Sequence, residues 1–184
     1  MLFADFLRAT VYANAASASL LAALYVVLAD ESQKTDLIPY AFGWWAIAVA
    51  IGLVIGRGKG TSDAIGKLLA NARAERALPE IAPSRALLNR LWPLLVLTVT
   101  VAGLGLLYPE LPAVGTGFTI IWALAWRKQA SAVKAIEGRD GARFYIDKTS
   151  PIAAIKLIRT PGFKQDDGIR TDGHHKPAQL TRHP

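Results

Sequence analysis

Apolar residues in this chain fall into four long runs, at about 9–29, 37–56, 91–108 and 112–127. A helix needs roughly 20 apolar residues to cross a hydrocarbon core of about 30 Å, because lipid offers backbone amides no partner. The pattern therefore predicts an all-α transmembrane fold: a four-helix membrane bundle made of two hairpins. Each run has a physical stop. Asp30 and Glu31 end the first, and Gly56-Arg57-Gly58-Lys59-Gly60 ends the second. Pro93 places the first turn of the third, and Arg127-Lys128 ends the fourth. The last two runs are short, which implies little tilt or a thinned bilayer. The first lacks a basic leader and is long for a signal segment, so it reads as a retained helix.

Polar stretches between the runs carry their own patterns. The loop 57–90 predicts a helix from Ser62 or Asp63, with Ile65, Leu68, Leu69 and Ala72 on one face. A second short helix is predicted from Ser84, presenting Leu87, Leu88 and Leu91. Basic amphipathic helices of this kind lie in the membrane interface. Beyond the fourth run, 128–136 predicts a continuation of that helix with Gly138 as its stop, although Asp140-Gly141 is also a hairpin cue that would make 132–137 a strand. Ala142-Arg143-Phe144-Tyr145-Ile146-Asp147 reads as a strand, and 152–158 as a partner for 144–146. Together they predict a small cytoplasmic β element, too small to hold a core alone. The organisation is a membrane domain over 1–130, a juxtamembrane cytoplasmic segment over 131–163, and a polar tail over 164–184 expected to be disordered.

Composition sharpens the picture. The chain has 184 residues, 52% hydrophobic, yet carries 21 Lys and Arg against 14 Asp and Glu, a net charge of +7. Within 9–56 and 91–126 the only charged residues are Asp30, Glu31, Lys34, Asp36 and Glu110. Such segregation excludes a disordered chain, a nucleic-acid-binding basic domain and an ordinary soluble enzyme core. All the Lys and Arg except Lys34 fall before the first run, in the middle loop or after the fourth run. The positive-inside rule then puts both termini and the loop 57–90 in the cytoplasm of a multi-pass plasma-membrane protein. Trp92 and Trp126 fall at the inner interface and Tyr40 and Tyr108 at the outer one, whereas Trp44, Trp45 and Trp122 lie deeper.

Candidate chemistry is sparse. With no cysteine, disulfides, thiolate catalysis, iron–sulfur clusters and cysteine zinc sites are excluded. No ionisable residue sits inside a run, which argues against a proton-coupled carrier, a voltage sensor or a proton channel. Asn14, with Thr10 and Ser17 at helical spacing, reads as an interhelical hydrogen-bonding position. Gly52 and Gly56, and Gly103 and Gly105, read as packing seams, with Gly115 and Gly117 also available. The glycine-rich segment Gly56-Arg57-Gly58-Lys59-Gly60-Thr61 lacks the spacing and the preceding strand of a nucleotide loop. Arg57, Lys59, Arg85, Arg90, Arg127 and Lys128 are instead expected to contact lipid phosphates, each worth about 1 kcal/mol at an anionic surface. Arg139, Asp140, Arg143, Phe144 and Tyr145 are candidate partner-facing residues of the tail. Asp172, His174, His175 and His183 do not make a preorganised metal site. No cofactor is expected.

The string Trp126-Arg127-Lys128-Gln129, then residues 135–145 (AIEGRDGARFY), then Ile158-Arg159-Thr160-Pro161-Gly162 resembles uncharacterised integral membrane proteins of high-GC actinobacteria. The resemblance implies a bacterial plasma-membrane protein and brings no catalytic residues with it. The expected function is a non-enzymatic accessory or scaffold subunit, whose basic cytoplasmic face meets anionic lipid and either a protein partner or a second copy of the chain. The alternative is a membrane enzyme or carrier for a phosphate-bearing lipid, with those cations holding phosphate and Glu137 or Asp140 supplying a carboxylate.

Overall fold

The computed structural model describes residues 1–58, 62–74, 83–147 and 155–161, with the backbone alone at 73, 74, 83–86 and 161. Helix α1 runs Phe3–Glu31, and a 3-10 turn over Thr35–Leu37 leads into α2, Ile38–Ile55. Then follow α3 (Asp63–Ala70), the short strand β1 (Arg73–Ala74), α4 (Pro83–Gly105), α5 (Glu110–Trp126) and α6 (Gln129–Asp140). The strands β2 (Ala142–Ile146) and β3 (Leu157–Pro161) close the described chain. Among the described residues, three helical segments are long and apolar enough to cross a membrane: Phe3–Glu31, Thr35–Ile55 and Leu87–Gly105. At 17 residues, α5 is shorter, about 25 Å at 1.5 Å per residue.

The shortest long helix is the hub. Both α1 and α2 pack most extensively on α5, and α4 touches α1 and α5 from the outside. Glycines explain how closely α2 approaches. A Cβ on Gly52 would stand 2.8 Å from Leu124 Cβ, and one on Gly56 2.5 Å from the Leu124 carbonyl oxygen, so this G-x-x-x-G is a seam against α5. Gly105 abuts Pro112, Gly115 meets Val101 and Leu21, and Gly117 lies under the Trp44 ring. Gly103 differs from these glycines: nothing lies within 4 Å of the position its Cβ would take, so it joins no seam within the chain. Aromatic groups lock the same interface, since Trp45 Nε1 donates to the Ala113 carbonyl at 2.9 Å and its ring meets Tyr25 edge-on.

Asn14 also departs from expectation. Its amide donates to the Thr10 carbonyl of its own helix at 2.8 Å, not to a neighbouring helix. The interhelical contact comes one turn later, where Thr98 Oγ1 of α4 lies 3.1 Å from Ser17 Oγ.

Four boundaries differ from the sequence reading, each for a packing reason. Helix α1 begins at Phe3 because Phe3, Phe6 and Leu7 have a second core, beside the sheet, to enter. The segment expected as a separate helix from Ser84 runs unbroken into the third apolar run, with Leu87 packing on that same core; Pro93 is consequently inside α4 and leaves the Asn89 carbonyl without its helical donor. The fourth run does not continue straight through 128–136. A turn at Arg127-Lys128 separates α5 from α6, and it lets Ala130 and Val133 reach α1. Finally, Gly138 is interior to α6, and the stop is Gly141 in the left-handed region (φ 57°, ψ 34°). The Asp-Gly pair is thus a helix cap, a role that uses the same freedom of glycine as a hairpin turn.

The sheet has the order β1-β3-β2. β2 pairs antiparallel with β3, Ala142 opposite Pro161 through Ile146 opposite Leu157, while β1 pairs parallel with Ile158 and Arg159. Leu2 adds an isolated antiparallel bridge to Tyr145. The pairing therefore uses 157–161, which overlaps the expected run 152–158 only at Leu157 and Ile158. Residues 164–184, with the candidate metal-binding histidines, lie outside the described residues.

Candidate functional site

One core stands apart from the bundle. Phe3, Phe6 and Leu7 of α1, Ile65 of α3, Ala130 and Val133 of α6, Phe144 and Ile146 of β2 and Leu157 of β3 form a single buried cluster. Four separate chain segments build it. Two have the pattern such a core demands: α3 offers one apolar face, and β2 alternates with Ala142, Phe144 and Ile146 inward, whereas α6 contributes only Ala130 and Val133. Hydrogen bonds tie the segments together. The Gln129 side-chain carbonyl accepts from the Ser62 amide at 2.9 Å, joining the start of α3 to the start of α6. Glu137 Oε1 accepts from the Phe144 amide at 3.0 Å, and Ile146 N–H donates to the Met1 carbonyl at 3.2 Å.

Strand alternation corrects one candidate. Phe144 is 2% exposed and is a core residue, not a partner-facing one. Arg143 and Tyr145, its neighbours, are on the other face, Arg143 exposed and Tyr145 half-buried. Arg139 Nε donates to Asp140 Oδ1 at 2.8 Å on the surface. That bond, with Arg159 nearby, holds the Asp140 carboxyl below the usual carboxylate range and raises the Arg139 guanidinium. Arg139, Asp140, Arg159 and Ile136 rim a recess of about 270 Å³ between α3, α6 and the sheet.

Between this module and the apolar bundle lies a collar of five cations, at least one at or beside each long helix. Arg8 follows Leu7 on α1, Arg57 follows the end of α2, Arg90 precedes Leu91 on α4, and Arg127-Lys128 follow α5. The contact of Gly56 with Leu124 brings the ends of α2 and α5 side by side, and with them Arg57 and Arg127. Arg8, Arg57, Arg127 and Lys128 are exposed; Arg90 is half-buried and has a partner of its own. Lys59 and the side chain of Arg85 lie outside the described residues. Sequence reading missed Arg8 as a collar member, although it is the sole cation before the first run, and missed Phe3, Phe6 and Leu7 altogether, because seven residues without a period do not announce a core.

At the opposite end the charge reverses. Asp30, Glu31, Asp36 and Glu110 gather there with Lys34, whose Nζ donates to Glu110 Oε1 at 2.6 Å. The Lys34 bond holds the Glu110 carboxyl below its ordinary value.

No family model matches the chain, and neither does any curated protein or solved structure. What the protein does is carried by its own geometry. A carboxylate acting as base in the lipid-enzyme alternative would have to be Glu137 or Asp140, and both are engaged, one on a backbone amide and one on an arginine. Among the described residues no three His, Asp or Glu side chains gather in a way that could hold a metal ion.

Proposed function

We propose that the chain is a four-span plasma-membrane protein of a bacterium, with α1, α2, α4 and α5 crossing the bilayer and both termini in the cytoplasm. It acts as an accessory or scaffold subunit: the spans carry a folded cytoplasmic module, whose basic collar rests on anionic lipid and whose outer surface receives a protein partner. One observation carries this reading. Chain from three points of the membrane domain, before α1, after α2 and after α5, closes around one core on the cation-rich side. A module fastened that many times has little freedom to swing, which suits a platform more than a tethered domain.

Several features support the details. Helix α5, though short, fits the span role because it is the hub of an otherwise apolar bundle, and a bilayer thins around short spans at modest cost. The cation asymmetry supports the orientation. On the module, Arg143 and Tyr145 of β2 and the Arg139–Asp140 pair form the outward surface that a partner would meet.

Two measurements test it. The chain has no native cysteine, so Lys34→Cys and Arg143→Cys can be labelled cleanly. An impermeant maleimide on intact cells is expected to modify position 34 and to reach position 143 only after permeabilisation; the reverse result sinks the orientation. For the scaffold role, a chain extracted from its own membrane in mild detergent is expected to retain a stoichiometric partner, lost in Arg143→Glu with Tyr145→Ala at unchanged thermal stability. A chain that runs alone, or a partner indifferent to that pair, sinks the role.

A further inference from the structure

Helix α4 is the least covered of the long helices, and the space between it, α1 and α5 is not filled by side chains. A groove of about 580 Å³ runs there, within the roughly 300–1,000 Å³ range of ligand sites. Its lining is almost entirely hydrocarbon: Leu94, Leu97 and Val101 of α4 face Val114, Phe118 and Trp122 of α5. Its threonines and Asn14 do not alter that character, because each makes a hydrogen bond to a carbonyl of its own helix. Thr10 donates to the Phe6 carbonyl at 3.0 Å, Asn14 to Thr10 at 2.8 Å, Thr98 to Leu94 at 2.8 Å and Thr119 to Thr116 at 2.9 Å. Polar groups are a small part of the wall, so a strongly polar ligand would lose more hydration than the groove returns, whereas an alkyl chain loses little by entering.

Length and charge narrow the occupant further. The groove extends from Thr10 to Leu21 on α1 and from Leu91 to Val101 on α4, about 15 Å at 1.5 Å per residue, and somewhat further along α5. That is roughly one leaflet of a 30 Å core. Its end at Thr10, Leu91 and Trp126 is the end at which Arg8 and Arg127 stand exposed, two residues and one residue away along the chain, with Lys128 following. The opposite end approaches the acidic face.

We propose that this groove is a binding site for one anionic glycerophospholipid of the cation-side leaflet, an acyl chain lying between α4 and α5 and the phosphate held by Arg8, Arg127 and Lys128. The lipid completes the packing of α4 and makes the collar a specific site rather than a generally attractive surface. The site depends on the bundle being membrane-embedded as proposed above, but not on which side is cytoplasmic or on any protein partner.

The test uses the full chain in detergent micelles with equal amounts of phosphatidylglycerol and phosphatidylcholine, read by native mass spectrometry. One phosphatidylglycerol adduct is expected to survive activation that strips phosphatidylcholine. Arg8→Gln and Arg127→Gln are expected to reduce the preference about fivefold each, from about 1 kcal/mol per cation. Val114→Trp, which fills the groove, is expected to abolish the adduct; should that variant not fold, Leu97→Trp on the facing helix reads the same space. Equal retention of the two lipids overturns the headgroup assignment. An adduct unchanged by the groove-filling variant overturns the acyl site, and so does a lipid-free dimer broken by Leu97→Trp, which would make the α4 face a seam between copies. Cysteine labelling of the orientation is independent of all these outcomes.

Discussion

Gly56 and Gly103 are the same residue type in comparable apolar helices, yet the structure gives them opposite roles. A methyl group at Gly56 would meet the Leu124 backbone oxygen at 2.5 Å, and backbone cannot swing aside as a side chain can. Gly56→Ala must therefore push α2 away from α5, with an expected loss of about 1–3 kcal/mol, the range of overpacking. Gly103→Ala meets open space and gains helix propensity, up to about 1 kcal/mol. Thermal unfolding of the two variants in one detergent checks this: Gly56→Ala should melt well below wild type, and Gly103→Ala at or above it. Equal midpoints would mean that the α2–α5 approach is not what glycine is there to allow. Sequence alone did not separate them, because both sit at small-residue spacings and only the neighbouring helix distinguishes a seam from a lipid-facing position.

Among the elements, β2 shows why a short strand can matter more than its length. Its five residues alternate, so Phe144 and Ile146 enter a core that no neighbouring element could close, while Arg143 remains in water. Phe144→Ala is expected to cost about 3–5 kcal/mol, whereas Arg143→Ala should stay within about 0.5 kcal/mol. Hydrogen exchange reads the difference: α3 and α6 amides should lose protection in Phe144→Ala only, and a matching loss in Arg143→Ala would show that the alternation is not what holds the module. The long helices were legible in sequence because twenty apolar residues have few other uses, and α3 and β2 because their periods are clean. Less visible were the features set by contact with distant chain. The fusion of 83–90 with the third run, the turn at Arg127-Lys128 and the pairing of Arg73–Ala74 with Ile158–Arg159 all depend on where the core beside the sheet lies. Of the candidate site, the cations could be read from charge alone. Their arrangement as a collar needed the helix ends to be aligned.

For the molecule as a whole, the bundle and the module are coupled but unequal. The bundle is held chiefly by α1, α2 and α5, which meet without help from the tail. A chain ending after Asp140 should therefore still insert, and α2 and α5 amides should keep their protection. The module should not survive, because Phe3, Leu7, Ile65 and Val133 would lose Phe144, Ile146 and Leu157 as cover. Exchange across the truncated chain checks both halves at once; protection retained in α3 would show that the sheet is dispensable. The order of synthesis gives that arrangement a temporal meaning. Phe3 and Leu7 leave the ribosome before any other part of their core, and Leu157, which helps to cover them, is among the last described residues to appear. Until β3 is made, Phe3 and Leu7 lack part of their cover. Folding of the module therefore waits on β3, and until then its apolar residues are surface of the kind chaperones bind.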